Sequence, residues 1–549
     1  MQVTGMEASL LWEDMPPSIW NAKLYAVSDT EEKALKNAVI LYQIFHGQAN
    51  SQEIEEWKNM RRISLQGSFE EADISALLLR QREICSMVRC ENIIRNIVLG
   101  EDVFSAFQVF SGKEEAELLF LKAYADETDD LFLKMRLYLG LNYVCGKFQC
   151  KVANMGAGNF EDMIYVAIKE YILKAAKEMY SCGCNIHFAK DKIIKKLPVR
   201  VNFCGSPSDA APYCLEYGGT MLNGALLLRG NMPICVEVLK TVESVIEFES
   251  VDSECSVIYH DLSLIKDCGN PYDTFALHKA VLIAAGIVSY TDTEENMEEL
   301  CARLGGGLKL VTSVNVPRGS GLGTSSILAA CAISAVYELF GIEVEKEKIY
   351  SDVFVIEQLM NTGGGWQDQV GGYTPGLKYI YSRPGIFQNL KVDMIKLDRD
   401  IRVKLQERFV LIFSGQRRLA RSVLREEMNQ CIRNHKNSME VLEEIRRICA
   451  LMKFEIERGN ITAFANYISE QFELVKTLDR GASNTCIEYI FDCCADLIDG
   501  KSVCGAGGGG FLQVILKEGI TRAQLEERIR EHFEGCGVEV WDSTFLWEA

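Results

Sequence analysis

The sequence predicts an α+β fold that is preceded by a mainly α-helical N-terminal region. Apolar residues recur at helical spacing through residues 1–190. Strand-like runs and glycine clusters begin only at Leu197, and such a mixture of strands and helices is typical of α+β or α/β domains. The lysine-rich stretch 190–196 breaks the helical pattern, so we place a domain boundary there. With a second boundary at 385, the predicted domains are 1–190, 191–385 and 386–549.

Three segments carry the helical signal of the first region. Apolar residues follow a helical period over 30–45, and the pattern stops at Gly47. The run Ser-Phe-Glu-Glu at 68–71 has the form of a capping box that opens a helix over 74–98. A third helix is predicted over 162–180. No catalytic group of residues lies in this region, so we expect it to be dispensable for chemistry.

Strands and helices alternate from Leu197 to the end of the chain. The predicted strands are Val199–Phe203, Ile234–Leu239, Leu308–Val316 and Phe511–Leu516. The predicted helices of the last third are at 419–433, 437–458 and 461–477.

The acidic composition narrows the function classes. Asp and Glu number 77 against 58 Lys and Arg, which gives a net charge of −19, whereas sequence-independent nucleic-acid binding needs a basic face. No apolar run reaches the roughly 18 residues of a membrane helix, and the N-terminus lacks the basic segment of a signal peptide. The 20 cysteines are therefore expected to be reduced thiols. We expect a cytoplasmic protein without nucleic-acid or membrane partners.

The segment Pro317–Ile327 carries the strongest chemical signal. It reads Pro-Arg-Gly-Ser-Gly-Leu-Gly-Thr-Ser-Ser-Ile, follows an alternating strand and precedes an alanine-rich helix over 325–339, with Thr324 placed as the N-cap. Glycines let backbone N–H groups approach an anion, and a helix N-terminus favours negative charge. An ordinary tight turn is the alternative, but three glycines beside hydroxyl residues favour phosphate binding. The segment is not a P-loop, because no lysine follows Gly323.

A second glycine cluster, Cys-Gly-Ala-Gly-Gly-Gly-Gly-Phe, lies at 504–511. Its glycines have the spacing of a dinucleotide fingerprint, but a strand follows them where that fingerprint requires a helix. We therefore reject a Rossmann site. A glycine loop beside a bound nucleotide or substrate and a tight hairpin are both left open.

The third segment runs from Glu357 to Gly372 and has a run of three consecutive glycines, 363–365, directly before Trp366-Gln-Asp368. A solvent-facing turn is the alternative to a functional site, but a tryptophan at this position is expected to be packed. One of the two carboxylates can hold Mg²⁺ while the other accepts a proton.

Together these segments resemble the GHMP small-molecule kinases. The similar motifs are the ATP-phosphate motif at Pro317–Ser326, the N-terminal motif at Val199–Asp209 and the C-terminal glycine motif at Gly505–Gly510. Within that family, Thr362–Gln369 resembles the L-fucokinases. The resemblance covers residues 197–549 and implies a two-subdomain GHMP-kinase-like fold, with an ATP-binding N-terminal subdomain at 191–385 and a C-terminal subdomain at 386–549.

The resemblance implies Mg²⁺-assisted transfer of the γ-phosphate of ATP to a sugar hydroxyl. Asp368 would take the proton of the attacking hydroxyl, and Arg200 would stabilise charge on the transferring phosphoryl group. Ser325 and Glu357 would hold Mg²⁺. The implied ATP contacts are Pro317, Gly319, Ser320, Gly321, Leu322, Gly323, Thr324, Ser325 and Ser326. The implied substrate contacts are Asp209, Gly219, Gly364, Gly365, Arg418, Gly507 and Gly508.

The first region is similar to the helical connector of bifunctional fucokinase/GDP-fucose pyrophosphorylases, through Trp20–Tyr25 and Arg62–Asp73. No nucleotidyltransferase signature occurs near the N-terminus. The sequence therefore predicts a connector with a kinase, as a separate polypeptide or as part of a longer one. A nucleotidyltransferase is the implied partner or fused domain.

One departure from the family pattern concerns the sugar. Fucokinases read Gly-Gly-Trp-Ser/Thr-Asp where this chain has Gly205-Ser-Pro-Ser-Asp209, so Pro207 stands in place of the tryptophan. Phosphorylation of L-fucose to L-fucose 1-phosphate, toward GDP-fucose, is the first expectation, and a heptose phosphate or another sugar is the alternative. A non-catalytic sugar sensor is disfavoured, because it would be expected to lack Asp368 or the glycine loop.

Overall fold

The computed structural model describes residues 7–13, 16–179, 186–270, 273–289, 295–386, 388–416, 428–505 and 507–548. The chain forms two compact units, Met1–Asn92 and Ile93–Ala549. The domain boundaries expected from the sequence, after residues 190 and 385, differ from this division after residue 92. The expected domains stay a prediction, because a compact unit is not the same as a domain that folds independently. In the described ranges, no helix combines the length and the apolar character that crossing a membrane requires.

The first unit consists of helices around a small apolar core. Its helices are Ala8–Leu11, Glu31–Phe45, Ser51–Asn59, Leu65–Glu71 and the greater part of Ile74–Val98. Two short strands, Tyr25–Ala26 and Arg62–Ile63, pair antiparallel. Trp57 is fully buried and donates its indole N–H to the carbonyl of Leu24 at 3.1 Å. The helix predicted over 30–45 is confirmed, with Thr30 as its N-cap.

The capping box predicted at Ser68 is wrong. Ser68 lies inside the helix Leu65–Glu71, which the side chain of Ser64 caps. The next helix, Ile74–Val98, begins after Asp73, whose carboxylate accepts a backbone hydrogen bond from the first turn. An aspartate directly at a helix start satisfies a free N–H and complements the helix dipole, so the more distant hydroxyl is not used.

Helices between residues 93 and 179 belong to the second compact unit. They are Val103–Phe107, Glu115–Glu127, Leu131–Phe148 and Asn159–Met179, the last confirming the helix predicted over 162–180. Arg136 is buried and forms an ion pair with Glu216 at 2.8 Å. Lys169 donates to the side-chain oxygen of Asn361 at 3.0 Å. The last of these helices therefore contacts the segment that leads into the triple glycine.

The first sheet of this unit carries the strand before the Pro317 loop. Its strand order is Lys192–Leu197, Ile234–Thr241, Gly307–Val314, Ile246–Ser250 and Cys255–Tyr259. Gly307–Val314 pairs antiparallel with Ile234–Thr241 and parallel with Ile246–Ser250. The helix Thr324–Leu339, whose alanines are buried, packs on this sheet.

The second and third sheets complete the fold. The central strand of the second sheet is Thr220–Leu228. It pairs with Val199–Cys204, with Leu377–Tyr381 and with Ser543–Phe545. The strand Lys391–Met394 pairs with Leu377–Tyr381 and forms an edge of this sheet. The third has the order Ile498–Val503, Phe511–Leu516, Phe409–Phe413 and Glu539–Trp541. The remaining helices are Tyr213–Tyr217, Leu262–Lys266, Ala276–Ala284, Met297–Leu304, Lys346–Leu359, Gln367–Tyr373, Arg399–Arg408, Lys436–Glu457, Ile461–Leu478, Thr485–Cys493 and Arg522–Phe533.

The predicted elements of this part are confirmed with small shifts at their ends. The four predicted strands are Val199–Cys204, Ile234–Thr241, Gly307–Val314 and Phe511–Leu516, and two of the predicted helices are Lys436–Glu457 and Ile461–Leu478. Most of the helix predicted over 419–433 lies outside the described residues. Its described part, residues 428–433, is helical.

Candidate active site

A cavity of about 400 Å³ lies where the three glycine-bearing segments meet. The carbonyl of Ser320 accepts a hydrogen bond from the N–H of Phe511 at 2.9 Å, which joins the first glycine loop to the second. Gly321 has a φ of +77°, and a Cβ there would lie 2.1 Å from the carbonyl oxygen of Cys504. Only glycine therefore allows the two loops to approach this closely.

The helix Thr324–Leu339 starts at the cavity wall. Its N-cap is Gly323, in the left-handed conformation, so the prediction of Thr324 as N-cap is wrong by one residue. Gly323 brings no side chain to cap the helix, and the hydroxyl residues of the first turn line the cavity. Helix N-termini leave backbone N–H groups without helical partners, which suits an anion such as a phosphate.

Arg200 and Asp368 form an ion pair in the wall of the cavity. The Nε and Nη2 of Arg200 both donate to Oδ1 of Asp368, at 2.8 and 2.7 Å. Nη1 of Arg200 donates to the carbonyl of Gly321 at 2.6 Å. The guanidinium is 3% exposed and the carboxylate 25% exposed. One arginine thus connects the carboxylate to the glycine loop, and the second oxygen of Asp368 is not used by Arg200.

Asp209 is almost fully buried beside this pair and lines the same cavity. Gln367 donates to both of its oxygens, from the backbone N–H and from the side-chain amide, each at 3.1 Å. Gly365 permits this arrangement, because a Cβ there would lie 2.0 Å from an Asp209 oxygen. Burial, together with the charge of Asp368, raises the pKa of Asp209 to about 7.

The raised pKa of Asp209 predicts a pH-dependent stability. The pKa of Asp209 is about 7 in the folded chain and 3.8 when unperturbed. The contribution of Asp209 to the free energy of unfolding is therefore fully present below pH 3.8, and it is lost as the pH rises through 7. Asp209→Asn cannot ionise, so the variant should gain stability relative to the original chain between pH 5 and 8. Between pH 5 and the pKa near 7, this gain is on the order of 3 kcal/mol. Urea unfolding at both pH values measures it, and equal pH dependence in the two proteins would contradict it.

Glu357 offers a set of oxygen ligands. It is buried, lines the cavity, and accepts hydrogen bonds from the hydroxyls of Ser326, at 2.7 Å, and Thr362. The hydroxyl that binds this carboxylate is that of Ser326, and its neighbour Ser325 lines the same cavity. Carboxylate and hydroxyl oxygens are the ligands that Mg²⁺ prefers, and it commonly takes only one or two from the protein. The donor set fits Mg²⁺, and the described residues show no cluster of three metal-binding side chains.

Most residues assigned from the sequence lie around this cavity. Those that line it are Arg200, Asp209, Gly319, Ser320, Gly321, Gly323, Thr324, Ser325, Ser326, Glu357, Gly364, Gly365, Asp368 and Gly507. Pro317, Gly219, Leu322 and Gly508 are not part of its lining, although Leu322 is fully buried and its carbonyl accepts from the N–H of Arg200 at 3.3 Å. Arg418 lies outside the described residues. Trp366 is packed as expected, at 1% exposure.

Several lining residues were not identified from the sequence. They are Asn202, Ser206, Pro207, Thr362, Gln367, Gln471, Phe472, Val475, Ala482, Ser502, Val503 and Gly505, together with Ala210. Gln367 and Thr362 stand inside a recognised motif and could have been assigned from it. Phe472 and Val475 lie on the helix Ile461–Leu478, where apolar spacing is equally typical of a core face.

Comparison with known proteins identifies the class. Residues 293–375 match the family model of the GHMP kinases N terminal domain. The chain also has the fold of galactokinase from Lactococcus lactis, with a TM-score of 0.50 at 13% identity over 70% of this chain and 99% of that one. Residues 293–375 are therefore similar to the GHMP kinases, as the motifs of the chain predict.

Curated relatives give the nearer similarities. The chain is 28% identical to the bifunctional fucokinase/GDP-fucose pyrophosphorylase of Arabidopsis thaliana over 96% of its length, and it spans 52% of that protein. It is 31% identical to the L-fucokinase/L-fucose-1-P guanylyltransferase of Bacteroides fragilis, over 61% of this chain and 36% of that one. A D-glycero-alpha-D-manno-heptose 7-phosphate kinase from Campylobacter jejuni is 25% identical over 57% of this chain and 86% of that one.

Proposed function

We propose that the chain is a sugar kinase that transfers the γ-phosphate of ATP to a sugar hydroxyl, with L-fucose as acceptor and L-fucose 1-phosphate as product. The observation that carries this proposal is the cavity in which the Arg200–Asp368 pair, the buried Asp209 and a glycine loop at a helix N-terminus all meet. Phosphoryl transfer depends on positioning and on charge stabilisation, and this cavity supplies groups for both.

Each group has a place in the reaction. The loop over 319–326 holds the phosphates through backbone N–H groups and hydroxyls. Asp368 accepts the proton of the attacking hydroxyl, and Arg200 stabilises negative charge on the transferring group. Arg200 also fixes the position of the base, because it binds Asp368 and Gly321 at once. Asp209 accepts hydrogen bonds from sugar hydroxyls.

Mg²⁺ completes the proposed site. Glu357 would hold it with a hydroxyl of the first helical turn, from Ser325 or from Ser326, which already contacts Glu357. When bound, the ion supplies positive charge that offsets the charge of the phosphates.

L-fucose is supported by the Thr362–Gln369 motif and by the two curated fucokinase relatives. A specific observation favours a second candidate, a heptose phosphate. Ser206 and Pro207, where this chain departs from the fucokinase pattern, line the cavity itself, and the Campylobacter relative is named a heptose 7-phosphate kinase. A non-catalytic sugar sensor is less well supported, because the acid, the arginine and the glycine loop are all present.

A nucleotidyltransferase partner is also proposed. The chain spans about half of the Arabidopsis relative and about a third of the Bacteroides relative, and both are named for a kinase and a pyrophosphorylase or guanylyltransferase. We propose that such an activity, on a partner or on a fused domain, uses the sugar 1-phosphate toward GDP-fucose.

Release of ADP across a sugar panel tests the acceptor. With ATP and Mg²⁺, we expect L-fucose to give the highest rate among free hexoses, deoxyhexoses and heptose phosphates, and chelation of Mg²⁺ to stop the reaction. Asp368→Asn serves as the matched control for contaminating ATPase. If a heptose phosphate gives ADP and L-fucose does not, the fucose assignment is wrong while the kinase assignment stands.

A further inference from the structure

A row of buried polar side chains crosses the second sheet beneath the helix that carries Asp368. Asn202, Asn223 and Lys378 lie directly opposite one another on three neighbouring strands. All three are at most 7% exposed, and Asn223 and Lys378 are fully buried. Burial of an amide and an ammonium in the middle of a sheet is costly unless each group has hydrogen-bond partners. The partners of Lys378 and Asn223 therefore show what these two side chains do.

Lys378 binds the C-terminal end of the helix Gln367–Tyr373. Its Nζ donates to the carbonyls of Gly371, Thr374 and Gly376, at 3.0, 2.6 and 2.9 Å. Burial lowers the pKa of Lys378 to about 7, whereas three carbonyl acceptors favour the protonated amine, which has three N–H donors. A positive charge at a helix C-terminus also complements the helix dipole. The side chain thus fixes the last turn and the chain that leaves it.

Asn223 binds the other end of the same helix. Its Nδ2 donates to the carbonyl of Gln367 at 3.1 Å. The helix sits directly on the sheet between these two contacts, since a Cβ at Gly371 would lie 2.8 Å from Cβ of Arg200 and 3.0 Å from Nδ2 of Asn223. A helix of seven residues is not stable alone. Its position is therefore set by these contacts with the sheet.

We propose that Lys378 and Asn223 are positioning residues, which hold the helix Gln367–Tyr373 so that Asp368 meets Arg200 and Gln367 meets Asp209. This inference rests on the proposed function, in which Asp368 is the base and Asp209 binds the sugar. Neither Lys378 nor Asn223 lines the cavity, so both act through the helix. The glycine loop, which is proposed to hold the nucleotide, lies on another element, and the hydrogen bonds of Lys378 and Asn223 go to the helix end and its exit.

Lys378→Met tests the proposal, because methionine is similar in length and apolar but donates no hydrogen bond. We expect the sugar-dependent kcat of the folded variant to fall by about 10²-fold, the order expected when a reacting group is misplaced by 1 Å. Nucleotide affinity, measured by calorimetry, should stay within twofold. Asn223→Ala removes a single bond and should change kcat in the same direction by a smaller factor.

Lys279→Met is the matched control. Lys279 is also a buried lysine, paired with Asp273 at 2.6 Å and bonded to the carbonyl of Asp267 at 3.3 Å, but it does not line the cavity. Its loss should lower the melting temperature and leave kcat unchanged. A folded Lys378→Met variant with kcat within threefold of the original chain would overturn the proposal. If that variant is insoluble, Asn223→Ala decides: a lowered kcat supports the proposal and an unchanged kcat overturns it.

Amide hydrogen exchange separates this proposal from the proposed function. In Lys378→Met or Asn223→Ala, residues 367–373 should exchange faster, while the helix Arg522–Phe533, which packs against another part of the fold, should not change. If the original chain phosphorylates none of the sugars but exchange at 367–373 rises in the variants, the proposed function fails. The positioning of this helix by Lys378 and Asn223 is then still supported. Unchanged exchange at 367–373 in both variants overturns the positioning role of Lys378 and Asn223.

Discussion

Asp368→Asn should lower sugar-dependent turnover by about 10²–10⁴-fold, the usual contribution of a general base, while ATP binding stays nearly intact. The amide is close in shape to the carboxylate and keeps an oxygen for Arg200, whose Nε and Nη2 now share Oδ1. Folding should therefore survive. Loss of one negative charge beside the phosphate loop should, if anything, favour nucleotide binding. Steady-state kinetics together with nucleotide titration measure the two effects separately.

Glu357→Gln is the control for this experiment. It removes a buried carboxylate of the same cavity whose proposed role is to hold Mg²⁺. The variant should require more Mg²⁺, and excess Mg²⁺ should partly restore its rate, whereas Asp368→Asn should not respond. If Asp368 only braces the turn after the triple glycine, asparagine would serve as well. A folded Asp368→Asn variant within about threefold of the original rate would contradict a role as general base.

Gly321→Ala should abolish most nucleotide binding. The new Cβ would lie 2.1 Å from the carbonyl of Cys504, so the loops at 319–326 and 504–511 must separate. The φ of +77° adds strain, and a side chain in that conformation costs about 1–3 kcal/mol. We expect lower stability and a loss of ATP affinity of at least about tenfold, since 1.4 kcal/mol already corresponds to that factor. Thermal unfolding and nucleotide titration are the measurements.

Gly286→Ala is matched to this variant in backbone conformation. Gly286 has a φ of +72°, but nothing lies within 4 Å of the position that a Cβ would take. It should therefore show the cost of strain alone, a reduced stability with unchanged ATP affinity. Equal ATP affinity in Gly321→Ala and Gly286→Ala would show that close contact between the two loops is not needed for the nucleotide.

The sequence predicted the local parts of the site well, because a strand, a glycine loop and a helix that follow one another are fixed by neighbouring residues. The Pro317 segment appears as such a unit, and its N-cap differs by one residue because Gly323 enters the left-handed conformation. Trp366 is packed for the reason its size suggests. In these places neighbouring residues indicate the structure to within about one residue.

Contacts between distant strands could not be predicted in the same way. Lys378 is a charged residue in a strand, which a sequence pattern assigns to a solvated face, yet it is fully buried. Its burial depends on the register that sets it opposite Asn223 and beneath the helix Gln367–Tyr373. The pairing of Asp209 with Gln367 likewise joins residues far apart in the chain. Sheet register and tertiary packing decide such contacts, and a single sequence carries no direct signal of either.

Identification of the product tests the proposed phosphorylation of L-fucose. The chain should be incubated with ATP, Mg²⁺ and L-fucose, and the products followed by ³¹P and ¹H NMR. The proposed kinase activity predicts one new phosphomonoester on the anomeric carbon, formed in equal amount with ADP by the original chain and absent with Asp368→Asn. Formation of ADP without a phosphorylated sugar, or a phosphorylated sugar formed equally well by Asp368→Asn, would contradict it.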